Sequence, residues 1–161
     1  MGVAAFACAN AAFAYQSPGK PTGFVNDFSH VLTSEQTKSL DQTLKNFEQS
    51  TGVEIVAVTV PSLGDETIET YAVKLFSEWG IGNKKTDTGL LILVAPADRK
   101  MRIEVGYGLE GTVTDIQSAG IIRTIMTPAF KARNYFQGIS GAADAVMGLV
   151  NGDPSVIASL Q

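Results

Sequence analysis

Two apolar runs, VEIVAVTV at 53–60 and LLILVAP at 90–96, constrain this chain more than any other feature. Nearly every position in them is β-branched or aliphatic, so neither face of either strand suits water, and such strands must be covered on both sides. Between them Ile68, Ala72, Leu75, Phe76 and Trp79 recur on one helical face, and Gly80 stops the run. Strand, helix, strand closes by a right-handed crossover, which sets the two runs parallel. The pattern predicts an α/β fold, a three-layer α/β/α sandwich around a small sheet.

The rest of the chain fills in that frame. DRK turns back into MRIEVGY, where Met101, Ile103, Val105 and Tyr107 alternate with Arg102, Glu104 and Gly106, so an antiparallel β-hairpin is expected and the sheet is mixed. Thr33 and Gln36 form a capping box ahead of Leu40, Leu44 and Phe47, predicting a helix over Ser34–Ser50 that Gly52 ends. A second box, Thr114 with Gln117, opens a helix carrying Ile116, Ile121, Ile122 and Ile125 up to Pro128. A further helix is expected over Asn134–Val150, with Phe136, Ile139, Ala143, Val146 and Met147 inward. FVNDFSHVL reads as an edge strand or an ordered loop, and NGDPSVIASLQ as a tail or a short closing helix.

The bulk properties exclude some functions. A chain of 161 residues, 45% hydrophobic and 17% charged, suits one domain, and its net charge of −4 offers no basic surface for nucleic acid. The first nineteen residues carry no charged side chain and end near the small-x-small triplet Ala12, Phe13, Ala14, so they read as the remnant of an export signal. Cys8, the single cysteine, lies within them. The expected organisation is an export-signal remnant and linker over 1–22, a domain over 23–150 and a C-terminal tail over 151–161, in an extracytoplasmic monomer. No later run reaches the roughly 18 apolar residues of a membrane span.

The stretch RKMRIEVGYGLEGTVTD, 99–115, leaves an alternating strand through three glycines and arrives at a carboxylate where a helix starts. A hairpin turning at Asp98 and Arg99 would set Leu90 opposite Tyr107, Gly89 opposite Gly108 and Asp87 opposite Glu110. Asp115 lies within reach of the same corner. Carboxylates gathered without a cation repel one another, so the arrangement suits a hard divalent ion, Ca²⁺ or alternatively Mg²⁺, with glycine carbonyls and waters completing its shell. His30 is the only histidine, which excludes a multi-histidine centre. Tyr71, Phe76 and Trp79 sit at core spacing.

Taken in order, VND at Val25–Asp27, VEIVAVTV, the block DTGLLILVAPADRKMRIEVGYGLEG from Asp87 to Gly111, VTD at Val113–Asp115 and the late NYFQGI resemble the TPM domain family. The resemblance covers Gly23 to Val150. It implies an α/β sandwich and a metal site of acidic loop residues mapping onto Asp27, Asp87, Glu110 and Asp115; Asp27 enters through the resemblance alone. The family occurs in bacterial extracytoplasmic proteins, in a plant thylakoid lumen protein and in some animal membrane proteins. Some members are described as acid phosphatases, others as assembly or repair factors for membrane complexes.

Two functions are therefore expected. In one, the ion locks the glycine loops so that Tyr107, Tyr135 and Phe136 dock a membrane-associated protein complex. In the other, the ion activates water against a phosphomonoester held by Arg102 or Arg99, although Arg99 lies at the wrong end of the hairpin. The sequence holds no D-x-D pair, no GxxxxGK[ST] loop and no GxSxG elbow to supply another phosphatase chemistry.

Overall fold

The computed structural model describes residues 15–160; the export-signal core and Cys8 lie outside them. One sheet carries four strands in the order β1 (Val25–Asp27), β2 (Glu54–Thr59), β3 (Gly89–Ala95) and β4 (Lys100–Val105). The first three are parallel and β4 runs antiparallel to β3. The helices are α1 (Ser34–Thr51), α2 (Ile68–Trp79), α3 (Asp115–Ile121), α4 (Thr127–Lys131), α5 (Tyr135–Val150) and α6 (Pro154–Ser159).

Strand alternation sorts the core into two layers. Ile55, Ala57, Leu90, Ile92, Val94 and Ile103 face Leu40, Leu44, Ile121, Met126, Ile139 and Val146. Val56, Val58, Leu91, Leu93 and Ala95 face Ile68, Tyr71, Ala72 and Leu75 of α2. Both faces of β2 and β3 are thus covered, as their all-apolar sequences require, and the fold is the three-layer sandwich with one helix on its thin side. The capping boxes form at Thr33 with Gln36 and at Thr114 with Gln117, and Gly52 and Gly80 end their helices in the left-handed conformation at φ 73° and 62°. FVNDFSHVL contributes the short edge strand β1, and the C-terminal stretch closes as α6 behind its Asp153 cap.

Three expectations change. The hairpin turns one residue earlier, around Ala97 and Asp98, so Leu90 lies opposite Val105 and Ala95 opposite Lys100. Arg99, at φ 53°, donates its N–H to the Pro96 carbonyl across 3.2 Å, while the Asp98 carboxylate accepts from the Leu63 N–H. That pinned four-residue loop, 96–99, sets the register. A shift of two positions keeps every side chain on its face, so the core is unaffected while the partners at the open end change.

Pro128 does not end the third helix. A π-helical turn at Ile122–Met126 carries the chain into α4, with the Thr127 N–H donated to the Ile122 carbonyl, five residues back. Proline has no N–H to donate, and placed just after the wide turn, in the first turn of α4, it leaves the helix unbroken. Ile116, expected among the helix-forming residues, is 73% exposed.

The segment after residue 14 is a strap on α2. Tyr15 and Ser17 hydroxyls donate to the two oxygens of Glu78 at 2.6 and 2.7 Å, the Tyr71 hydroxyl donates to the Gln16 carbonyl, and Trp79 Nε1 donates to the Gly19 carbonyl. Burial, then the nearby Glu78 charge, pushes the Tyr71 phenol up to about 12. Burial also raises Tyr15, reinforced by its bond to Glu78.

Candidate functional site

The open end of the hairpin is closed by backbone contact. Asp87, in the left-handed region at φ 51°, accepts the Tyr107 N–H on its carboxylate at 2.9 Å and the Gly108 N–H on its carbonyl at 3.0 Å. The Gly106 N–H meets the Gly89 carbonyl at 2.8 Å. A Cβ on Gly106 would lie 2.5 Å from the Asp87 carbonyl oxygen, and one on Gly108 would overlap the carbonyl oxygen of Thr86. The glycines are there because two backbones pass in contact. Asp87 therefore faces Tyr107 and Gly108, and the expected Asp87–Glu110 pairing is not formed.

Beside this closure lies an open cleft of about 540 Å³, lined by Arg102, Ile103, Glu104, Val105, Glu110, Val113, Thr114, Asp115 and Ile116. Arg102 Nε pairs with Glu104 Oε2 at 2.9 Å, the two side chains lying on the same strand face. Glu110 and Asp115 are both exposed, and Asp115 occupies the first turn of α3, where the helix dipole favours an anion. Two large apolar side chains stand out in solvent at this end of the molecule: Tyr107 is 80% exposed and Ile116 73%.

Asp27 is elsewhere. It pairs with Thr59 at the C-terminal ends of the parallel strands, whereas Asp87 precedes the first residue of β3. At about 3.3 Å per residue the strand length alone sets them about 20 Å apart. Both Asp27 oxygens already have partners: Oδ1 accepts from the Thr59 hydroxyl and the Val31 N–H, and Oδ2 from the Leu32 N–H at 2.8 Å. Among the described residues no three of His, Cys, Asp and Glu converge tightly enough to hold an ion. The full set of Asp27, Asp87, Glu110 and Asp115 thus does not fit one cation; Glu110 and Asp115 share a cleft, with Asp87 on the neighbouring loop.

Of the described aromatic residues, Tyr107 alone is largely presented to solvent, at 80%. Tyr135 is half-buried with its ring 5.3 Å from that of Phe130, and Phe136 packs against the larger core layer. Arg102, expected as a phosphate holder, lines the cleft; Glu104 beside it on the polar face of MRIEV and Ile116 as a surface residue are not expected from the sequence. The signal for Ile116 was its place in the first turn after a cap, ahead of the stripe that begins at Ile121.

A family model described as the TPM domain matches residues 25–149. Among solved structures, the N-terminal domain of a protein from P. gingivalis is 36% identical, with a TM-score of 0.75, over 83% of this chain and 85% of that one. The BA42 protein of the psychrophilic bacterium Bizionia argentinensis is 26% identical at TM-score 0.62, covering 74% of this chain and 82% of its own. The N-terminal domain of the cg2496 protein from Corynebacterium glutamicum, 16% identical at TM-score 0.63 over 88% and 87% of the two chains, shows the fold alone. No match was found among curated proteins.

Proposed function

Because this chain belongs to the TPM domain family, we propose that it is an extracytoplasmic binding module that docks on a membrane-associated protein complex through the acidic cleft beside β4. The observation that carries this reading is the pair Tyr107 and Ile116, 80% and 73% exposed, standing beside a cleft walled by ordered backbone. Large apolar side chains held in solvent near a concave polar surface are what a partner desolvates. Glu110 and Asp115, with Asp87 next to them, are the residues this reading assigns to any Ca²⁺ or Mg²⁺ binding, and Asp27 is assigned to holding the turn after β1. No helix among the described residues is long and apolar enough to cross a membrane.

The phosphatase alternative gains one feature, Arg102 in the cleft. It depends wholly on a bound divalent ion, since without one three carboxylates against one guanidinium repel a phosphate dianion. Binding asks less of these residues. The test is a photo-reactive benzoylphenylalanine placed at Tyr107 and, as control, at exposed Lys45 on α1, irradiated with membranes from the source cell. A discrete adduct from position 107 and none from 45 supports docking; identical patterns from both sites refute it.

A further inference from the structure

Four consecutive residues of β4, Arg102 to Val105, line one cleft. Side chains of a strand alternate between its faces, so four in a row can border a single cleft only where that cleft meets the strand edge-on and sees its backbone. Among the described residues β4 is the outer strand of the sheet and pairs only with β3. The Gly106 N–H bond to the Gly89 carbonyl fixes the alternation of that ladder: residues 102 and 104 direct their N–H and C=O groups to β3, and Met101, Ile103 and Val105 direct theirs outward. Among the described residues, no backbone bond outside the helices and strands engages those outward groups. The other edge strand, β1, is three residues long, and the Asp41 carboxylate takes the Val25 N–H. β4 is thus the longer edge, and the cleft runs along it.

We propose that this edge takes up an extended segment of a partner protein as a fifth, added strand, and that the segment carries Lys or Arg alternating with small apolar residues. The occupant follows from the lining. Glu104, Glu110 and Asp115 against Arg102 leave the cleft at a net charge of −2, and Val105 and Ile116 supply apolar surface between those charges. A basic alternating strand satisfies the outward ladder groups, the carboxylates and the apolar wall together; a phosphate or an acidic segment satisfies none of the carboxylates. Four residues spanning 102 to 105 extend about 13 Å, enough for the alternating pairs that give strand addition its specificity. The inference rests on the docking reading above and names its mode and its partner's chemistry.

The test uses the whole domain with two capped heptapeptides, TVKVKVT and its twin TVEVEVT, read by residue-resolved amide hydrogen exchange. The expected result is that the lysine peptide slows exchange at Met101, Ile103 and Val105 by at least about tenfold, in that alternating pattern, and the glutamate twin does not. Glu110→Gln with Asp115→Asn weakens the lysine peptide about tenfold, and Met101→Pro, which removes an outward N–H without touching the β3 ladder, does likewise. Binding without protection of the alternating amides overturns strand addition and leaves the docking reading standing. No binding of the lysine peptide overturns it too, and the cross-link at Tyr107 then decides the docking reading separately. Protection that grows with protein concentration and no peptide makes a second copy the occupant and overturns the proposal.

Discussion

Gly108→Ala tests whether the glycines of the hairpin end serve backbone contact. The new Cβ would overlap the Thr86 carbonyl oxygen and lie 3.0 Å from that of Asp87, and both obstacles are main chain that cannot swing aside as a side chain can. The Thr86–Gly89 segment is itself held, since the Thr88 carbonyl accepts the Glu54 N–H at 3.0 Å. Overpacking of this kind costs about 1–3 kcal/mol. Prying Gly108 away also weakens its bond to the Asp87 carbonyl and the Tyr107 bond to the Asp87 carboxylate, at about 1 kcal/mol for a lost bond. The expected loss is therefore about 2–4 kcal/mol, which lowers the melting temperature of a domain this size by about 5–15 °C. Gly111→Ala is the matched control: nothing lies within 4 Å of its Cβ, and the change stays within about 0.5 kcal/mol. Thermal melts and urea titrations of both variants decide the matter. If Gly108→Ala melts within about 1 °C of Gly111→Ala, the contact argument is wrong.

Three further outcomes are expected. Asp27→Asn sets an amide against donors now received by two carboxylate oxygens, so urea denaturation should show a loss of about 2–3 kcal/mol. Calorimetry with Ca²⁺ should give the same affinity for Asp27→Asn as for the wild type and an affinity at least tenfold weaker, about 1.4 kcal/mol, for Glu110→Gln with Asp115→Asn; the opposite pattern returns Asp27 to the ion. At alkaline pH the fold tolerates only the neutral Tyr71 phenol, so this group's contribution is complete below pH 10 and is lost as pH climbs toward about 12. Tyrosinate absorbance should therefore develop at lower pH in Glu78→Gln than in the wild type, and coincident titrations would remove Glu78 as a cause.

The sandwich was legible because its signals are local or periodic: apolar runs for β2 and β3, capping boxes at Thr33 and Thr114, and a helical stripe for α2. Register was harder to read. It depends on how Pro96–Arg99 turns and on Asp98 reaching Leu63, a contact between residues 35 positions apart that no window contains. The actual register draws Asp87 away from Glu110 and onto the Tyr107 backbone. Asp27 was grouped with the other acids by resemblance, and strand direction then placed it at the opposite end of the sheet. The strap from Tyr15 to Gly19 reads as export-signal remnant and linker because its anchors, Tyr71, Glu78 and Trp79, lie on a helix more than fifty positions away.

The uneven layering has a consequence for how the domain comes apart. One side of the sheet is roofed by a single helix whose hold depends partly on five residues of strap, while the other carries a continuous packing of α1, α3, α5 and α6. A protease that clips the strap therefore weakens the α2 side before the larger half, and amide exchange should rise in α2 first.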